Sequence, residues 1–450
     1  MKTKHMQRIR TLSSMGVWVL IGVLALTVAS CAIWTSGSEG STITMSLAAS
    51  SKALGSGADE ARVWVYSNNV LVANPATSDG SYRASIDPGA STATVTVSDL
   101  APGESYRVVA VTGTSGSTFK PTAFGTSDLF GIKAGVETTV SLNLDEIDVA
   151  VPSSQISGLK SVVVAGDIYA ASGTKIYVGP SVANLSPGSW NLSTATINSL
   201  NLTADETPQV LVNTTSGVYN YGGNAVGGSW GSDVPPSVLQ SGGLALLDTY
   251  FYQADKEIGG YVGGNEWNRI PLDIPVAGKP ILDLLVWKKD ENTMFGYFAT
   301  RVVGAFKLGS SDLDGLTLED ILSGNENSPI IFFGETLPLI QAFGYLSGDD
   351  LYLGTKSGVY KTKINDPKSS PATLLEGTKG LNVTKIVVQG QSEAFLTATE
   401  IVLLKDNKIY KMPFFSSVVG ELTDIAWQGS TLIITGTTGI CSLDTTSLGK

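Results

Sequence analysis

The sequence contains very little histidine or cysteine. Among its 450 residues there are one histidine, His5, and two cysteines, Cys31 and Cys441. His5 lies in an N-terminal segment that we expect to be removed, so the mature protein would have no imidazole. A Ser-His-Asp triad, a Cys-His pair and a histidine-ligated metal site are thereby excluded. The sequence identifies no catalytic residue, no metal site and no cofactor.

Positive charge is also scarce. The chain carries 29 Lys and Arg against 40 Asp and Glu, a net charge of −11. Residues 1–30 hold four of the basic residues and no acid, so the mature part has 25 basic against 40 acidic residues, a net charge of −15. Binding to nucleic acid, or to an anionic lipid surface through charge alone, needs a cationic patch. We therefore expect neither.

Glycine, in contrast, is abundant. The 50 glycines and the low share of charged residues, 15%, are typical of many short strands and turns, because helical proteins of this length expose more Glu, Lys and Arg. The chain is also too long for one ordinary core. We predict an all-β protein with two units, a small β-sandwich followed by a β-propeller.

The N-terminus has the order of an export signal. Basic residues precede a short apolar stretch, Val17–Val28, which is shorter than the roughly 20 apolar residues that a membrane-spanning helix needs. The following Val28-Ala29-Ser30-Cys31 resembles the bacterial lipobox. This resemblance implies that residues 1–30 are a lipoprotein signal peptide and that acyl chains are attached at Cys31. The alternative is an uncleaved signal anchor with an incidental cysteine.

The first residues after the cleavage site predict a tethered envelope protein. Residues 31–41 are rich in Ser and Gly and indicate a flexible tether. Several acyl chains at Cys31 would anchor the chain in the membrane almost permanently. Ala32, where enteric lipoproteins retained in the inner membrane have Asp, favours the outer membrane. Cys441 would then have no cysteine partner, and its place in the apolar run Leu432–Cys441 predicts a buried core residue.

Residues 42–149 show the pattern of a small sandwich. A period-2 alternation appears in Arg62–Tyr66 and Tyr106–Val111. The run Val97–Tyr106, with its Leu100-Ala101-Pro102-Gly103 turn, resembles fibronectin type III and carboxypeptidase-regulatory-like modules, which act as spacers or adhesive surfaces. We predict an immunoglobulin-like or transthyretin-like β-sandwich over 42–149, with a positive φ at Gly103.

Residues 150–450 contain a repeat. An apolar strand, a turn, a second strand and a Gly-containing hairpin recur, with first strands beginning near residues 161, 197, 242, 282, 342, 384 and 423. Intervals of about 40 residues suit the four strands of a propeller blade. Leu351–Lys361 resembles the propeller repeat of bacterial two-component regulators. We predict a seven-bladed β-propeller over 150–450, closed by a segment around Asp148–Ile156 that pairs into the seventh blade.

Aromatic residues among glycines mark the expected contact region. Trp230, Tyr261, Trp267 and Arg269 lie in such stretches, and exposed aromatic and Arg side chains are favoured at interfaces. We predict that they contact a ligand or partner. The alternative is that the Trp side chains fill the space between neighbouring blades.

Three functions remain open. The first is a non-enzymatic binding or scaffold module that meets a protein or glycan partner through the propeller loops. The second is a hydrolase or lyase that uses carboxylates in the propeller channel. The third is a scaffold for outer-membrane protein assembly, by resemblance in anchor and fold type to the propeller lipoprotein of that machinery.

Overall fold

The computed structural model describes residues 40–448, apart from 50–53, 55–56, 88, 117, 191–194, 203–207, 216, 224–240, 247–248, 255–256, 263–266, 272–282, 291–292, 300–303, 310–339, 346–349 and 364–371. The strands between residues 241 and 309 are described by their backbone alone. Within these limits the chain is all-β. Its helical elements are single turns at Val182–Asn184, Glu376–Thr378, Pro413–Phe415, Ser416–Val419 and Thr445–Ser447. No helix among the described residues is long and apolar enough to cross a lipid bilayer.

The N-terminal part forms one nine-stranded sheet. Its strands are β1 (Ser41–Ala49), β2 (Glu60–Ser67), β3 (Val70–Val72), β4 (Tyr82–Ser85), β5 (Thr92–Leu100), β6 (Gly103–Thr114), β7 (Lys120–Thr126), β8 (Phe130–Ile132) and β9 (Glu137–Glu146). Their order is β3-β2-β6-β7-β9-β1-β5, with β4 also paired to β2 and β8 to β6. We call this part the N-terminal sheet.

Alternation builds the core of the N-terminal sheet. Strand β1 buries every second residue, including Ile43 and Met45, and these pack with Val63 of β2 and Val108 of β6 in one apolar cluster. The predicted turn after Leu100 is present, because β5 ends there and β6 begins at Gly103. The positive φ predicted for Gly103 is wrong.

The left-handed residue of this turn region is Asp99, with φ 62°. Its cause is an irregular register between β1 and β5, in which Ser41 pairs with Leu100 but Ile43 pairs with Val97. The one extra residue of β5 forms a bulge, and Asp tolerates the left-handed region better than most residues. The chain therefore changes direction before Pro102 without needing a special conformation at Gly103.

Seven small antiparallel sheets follow. The first three sheets consist of: sheet one, β11 (Leu159–Ala165), β12 (Asp167–Ser172), β13 (Lys175–Gly179) and β14 (Ser186–Pro187); sheet two, β15 (Ile197–Leu202), β16 (Val210–Thr214) and β17 (Gly217–Asn220); sheet three, β18 (Ser241–Leu246), β19 (Thr249–Ala254), β20 (Glu257–Val262) and β21 (Trp267–Pro271). The next three consist of: sheet four, β22 (Asp283–Asp290), β23 (Thr293–Ala299) and β24 (Gly304–Gly309); sheet five, β25 (Ile340–Tyr345), β26 (Asp350–Thr355), β27 (Gly358–Lys363) and β28 (Thr373–Leu374); sheet six, β29 (Lys385–Gln389), β30 (Ser392–Leu396), β31 (Ile401–Lys405) and β32 (Lys408–Met412). Sheet seven consists of β33 (Leu422–Gln428), β34 (Thr431–Gly436) and β35 (Ile440–Asp444) together with the earlier strand β10 (Asp148–Ala150). We number these sheets one to seven in that order.

The first strands of the seven sheets begin within two residues of the predicted positions. They contact one another in chain order, β11 with β15, then β18, β22, β25, β29 and β33, and β33 contacts β11 again. The last sheet takes its fourth strand from the segment before the first sheet, because Asp148, Val149 and Ala150 pair with Asp444, Leu443 and Ser442. This is the pairing that the sequence predicts.

A separate apolar core joins the N-terminal sheet to sheets six and seven. Trp64 of β2 and Phe124 of β7 are buried in one cluster with Phe414, Leu403 of sheet six and Leu443 of sheet seven. Strand β2 is consequently buried on both faces over six consecutive residues. We call this contact the junction.

Cys441 belongs to the same cluster and is fully buried. It is a free cysteine, and burial raises the pKa of its thiol. The prediction of a buried core residue at this position is confirmed.

Candidate functional site

The contact residues predicted from the sequence fall mainly on one hairpin. Tyr261 lies in β20, and Trp267 and Arg269 lie in β21 of sheet three. Tyr261 is the register partner of Trp267, and Arg269 is the partner of Gly259. The backbone thus brings three of the four residues together. Trp230, like Cys31, lies outside the described residues, and the role of all four as contacts stays a prediction.

The junction contains a charged cluster around Asp79. One of its carboxylate oxygens accepts hydrogen bonds from Ser417 Oγ at 2.6 Å, Arg83 Nη2 at 3.1 Å and Arg62 Nη1 at 3.2 Å. Burial acts to raise the pKa of Asp79, but the hydrogen bonds from Ser417 and Ser81 and the charge of Arg83 outweigh it and hold this pKa below its usual range. Asp79 therefore stays ionised and ties the N-terminal sheet to the segment after sheet six.

A second polar cluster lies deeper in the junction. Tyr66 Oη donates to Glu400 Oε2 at 2.9 Å, and Lys411 Nζ lies 3.9 Å from Glu400 Oε1 and 4.8 Å from the centre of the Tyr66 ring. Lys411 is 1% exposed, and its ammonium has no hydrogen-bond partner among the described residues. Burial raises the pKa of Glu400 and lowers that of Lys411, since it disfavours both charges.

A cleft of about 790 Å³ opens beside these clusters. Its walls come from both sides of the junction and include Arg62, Phe119, Glu400 and Ser417. The polar groups on these walls already bind each other, and the Arg62 guanidinium also lies 3.9 Å from the centre of the Phe119 ring. The junction cleft therefore offers a ligand few free hydrogen-bonding groups.

A polar hub joins sheet seven to its neighbours. Asp424 Oδ2 accepts from Ser161 Oγ at 2.9 Å and from the backbone N–H of Val162 at 2.8 Å, and its other oxygen binds Lys385 Nζ. Ser161 Oγ in turn accepts from the backbone N–H of Leu200 at 3.1 Å. The hub connects sheets six, seven, one and two, and its carboxylate is fully used in doing so.

A second cleft, of about 730 Å³, lies at sheet one. We call it the first-sheet cleft. One wall is the segment Pro152–Ser157, which leads from β10 to β11, and another is the β12–β13 hairpin with Lys175 and Tyr177. Gly173 makes the hairpin turn possible with φ 61°. Ser172 Oγ donates to the carbonyl of Ser157 at 2.8 Å and holds the two walls together.

Gln155 is the most constrained polar side chain of this cleft. Its Oε1 accepts from the backbone N–H of Ile440 at 2.9 Å. A Cβ on Gly439 would collide with the same oxygen, so glycine is required there for Gln155 to fit. Its Nε2 is buried and has no hydrogen-bond partner within the described residues. Buried amide donors are nearly always paired, so this group calls for an explanation.

Sequence reasoning treated this segment only as the closing strand and missed the cleft. The polar run Ser153-Ser154-Gln155 directly after Pro152 was the available signal. Its meaning depends on the β12–β13 hairpin lying opposite, which a single sequence does not reveal. Over the described part of the chain, no group of three or more His, Cys, Asp or Glu side chains is arranged to hold a metal ion.

No protein family model matches the chain, and no curated protein matches it in sequence. Among solved structures, virginiamycin B lyase from Staphylococcus aureus is similar with a TM-score of 0.47 and 13% identity, over 66% of this chain and 98% of that one. The extracellular domain of the one-component system BT4673 from B. thetaiotaomicron gives a TM-score of 0.47 and 11% identity, over 66% of this chain and 39% of that one.

PorZ, a bacterial surface component of the type-IX secretion system of Porphyromonas gingivalis, gives a TM-score of 0.46 and 11% identity, over 76% of this chain and 56% of that one. These structural neighbours are β-propeller proteins. At such low identities the similarity concerns the fold alone.

Proposed function

We propose that the protein is a lipid-anchored binding or scaffold module of the bacterial cell envelope. In this proposal residues 1–30 are a signal peptide, Cys31 carries the lipid and residues 31–41 are the tether. Residues 42–149 are a β-sandwich that supports a seven-bladed β-propeller over residues 150–450, and the propeller loops meet a protein or glycan partner. The outer membrane is the favoured location.

The strand contacts support the propeller. The seven small sheets have three or four strands each, and the contacts of their first strands return from β33 to β11. A fourth strand taken from the start of the repeat region holds the last sheet to the first. For the sandwich, the support is a core that receives side chains from both β1 and β2 although these strands are far apart in the sheet order.

The observation that carries the functional proposal is the junction. Trp64, Phe124 and Phe414 share one apolar core, so the N-terminal sheet is packed against the later sheets. A hinged spacer would instead leave a polar linker between two separate cores. A fixed support holds the propeller in a defined orientation above the tether, which is useful for presenting a binding surface. Among the described residues, the buried carboxyl groups of Asp79, Glu393, Glu400 and Asp424 each accept a hydrogen bond from another side chain. These structural roles favour binding over the carboxylate-based hydrolase or lyase.

The lipid anchor is tested by metabolic labelling with a radioactive fatty acid. The wild-type chain should be labelled and should stay with membranes after a high-salt wash, whereas a Cys31→Ala variant should lose both properties. Cys441→Ala is the matched control, because it removes the other cysteine and should keep the label. A Cys31→Ala chain that stays in the membrane would refute the anchor.

The binding role is tested by copurification from detergent-solubilised envelopes. We expect a stoichiometric protein, or a bound glycan, to accompany the wild-type chain. Recovery of outer-membrane assembly components would select the assembly scaffold among the possible roles. A chain that is recovered alone and without bound glycan would refute a stable partner.

A further inference from the structure

The two clefts have nearly equal volumes but different chemistry. In the junction cleft Asp79 accepts from Arg62 on its own wall and from Ser417 on the other wall. Tyr66 donates to Glu400 across the two walls. In the first-sheet cleft, five polar side chains have no partner within the described residues, namely Ser153, Ser154, Thr174, Lys175 and Tyr177. Its volume of about 730 Å³ lies within the range of small-molecule sites, roughly 300–1,000 Å³. The first-sheet cleft is therefore the better place for a ligand.

The kinds of groups on its walls narrow the ligand class. Serine and threonine hydroxyls both donate and accept hydrogen bonds, and the free Nε2 of Gln155 can only donate. Tyr177 adds the face of an aromatic ring, against which apolar parts of a ligand can pack. Lys175 is the one charged residue among the described lining residues. The complementary ligand has many hydroxyls, an apolar face and a negative charge.

We propose that the first-sheet cleft binds an acidic sugar, such as a uronic-acid residue of an envelope or extracellular glycan. The Lys175 ammonium pairs with the sugar carboxylate, Ser and Thr hydroxyls bind the ring hydroxyls, and the ring packs on Tyr177. The inference rests on the proposed binding function and specifies its glycan partner. The net charge of the chain, −11, opposes non-specific attachment of polyanions, so binding of an acidic sugar requires a specific site.

Gln155 has a separate role in this site. Its Oε1 accepts from the N–H of Ile440 and occupies space that a Cβ at Gly439 would need. The remaining donor on Nε2 is left without a partner beside the cleft. A small displacement of the cleft wall by a bound sugar would give this donor an acceptor.

The test is isothermal titration calorimetry on the full-length lipidated chain in detergent solution. The probes are tetragalacturonic acid, the neutral cellotetraose and a short polyacrylate, which has carboxylates but no sugar. We expect tetragalacturonic acid to bind about two- to fivefold more tightly than cellotetraose, the range expected for one exposed ion pair. Polyacrylate should bind no more tightly than cellotetraose.

Three variants locate the binding. Lys175→Gln should remove the preference for the acidic sugar, whereas Lys356→Gln should not, because Lys356 occupies the corresponding hairpin turn of sheet five. Gln155→Glu keeps the acceptor for the N–H of Ile440 but loses the N–H donor and adds a negative charge. This variant should bind tetragalacturonic acid about tenfold or more weakly than the wild type. Thermal unfolding of each variant shows whether it is folded.

The proposal is overturned if tetragalacturonic acid does not bind, if polyacrylate binds equally well, or if Lys175→Gln leaves the preference intact in a folded chain. None of these results would affect the lipid anchor, which fatty-acid labelling tests independently. A labelled, membrane-bound chain that does not bind acidic sugars would therefore refute the acidic-sugar site and leave the lipid anchor standing.

Discussion

Sheet seven meets two neighbours by different means. Towards the N-terminal sheet it contributes to a core rich in large aromatic side chains, including Trp64, Phe124 and Phe414. Towards sheet one it packs Ala426 and Ile433 against small aliphatic residues such as Val162, with the Asp424 hub beside them. The first contact is made once in the chain, and the second repeats the relation between consecutive sheets.

The difference shows what each contact must accomplish. Between sheets seven and one, aliphatic side chains and the hydrogen bonds of Asp424 make the contact. The junction joins two unlike surfaces, and large rings fill the irregular space between them. Large buried aromatic side chains contribute more to stability than smaller ones, so substitutions in the aromatic core of the junction should cost more than substitutions at the hub.

The largest effect is expected at Phe414. Its side chain is fully buried, and its ring centre lies 5.5 Å from that of Phe124 and 4.5 Å from that of Phe415. Phe414→Ala should lower the free energy of unfolding by about 3–5 kcal/mol, measured by urea denaturation followed by tryptophan fluorescence. Val70→Ala, at a side chain that is 64% exposed, is the control and should change little. A loss below about 1 kcal/mol for Phe414→Ala would mean that the junction is not tightly packed.

The next effect concerns the buried ion pair of the junction. Lys411→Met removes the cation facing Glu400 and should cost about 3 kcal/mol, because a carboxylate is left in an apolar core. The double variant Lys411→Met with Glu400→Gln should recover most of this loss, since no buried charge remains. Urea denaturation of the single and double variants measures the coupling. Equal losses in both would show that the charges of Lys411 and Glu400 are not coupled.

Much of the repeat region was predictable from the sequence because its rules are local. Apolar runs, Gly-containing hairpins and an interval of about 40 residues placed β25 and β33 within two residues of their observed starts. These inferences need only neighbouring residues and the requirement that every sheet be covered.

The junction was not predicted, because it depends on residues more than 300 positions apart. The alternation in Arg62–Tyr66 indicated one buried face, but Trp64 and Tyr66 occupy the opposite face and are buried as well. Two aromatic residues on the supposedly exposed face were the available signal. A strand with apolar residues on both faces is expected to be buried on both faces. A single sequence does not identify the surface that covers the second face.

At the hub a smaller effect is expected. Asp424→Asn keeps one acceptor oxygen but loses the charge that binds Lys385, and it should cost about 2 kcal/mol. Asp406→Asn is the matched control, because Asp406 is exposed in a turn with φ 51°, a conformation that Asn adopts readily. Thermal unfolding compares the two variants. A cost at Asp424 as large as that at Phe414 would reverse the order argued for the two contacts.

The smallest expected effect is a dependence of stability on pH, which arises from Asp79 in the junction. The pKa of this carboxyl is held below its ordinary value of 3.8 in the folded protein by Ser417, Ser81 and Arg83. Its contribution to stability is therefore complete above pH 4 or so and is lost as the pH falls below that value towards the folded pKa. Asp79→Asn cannot make this contribution, so it should be less stable than the wild type by about 1 kcal/mol at pH 7, and the difference should shrink on acidification. Urea denaturation of both chains between pH 7 and pH 3 measures it. If the difference stays constant over this range, the aromatic core alone fixes the junction and the charges around Asp79 are incidental to it.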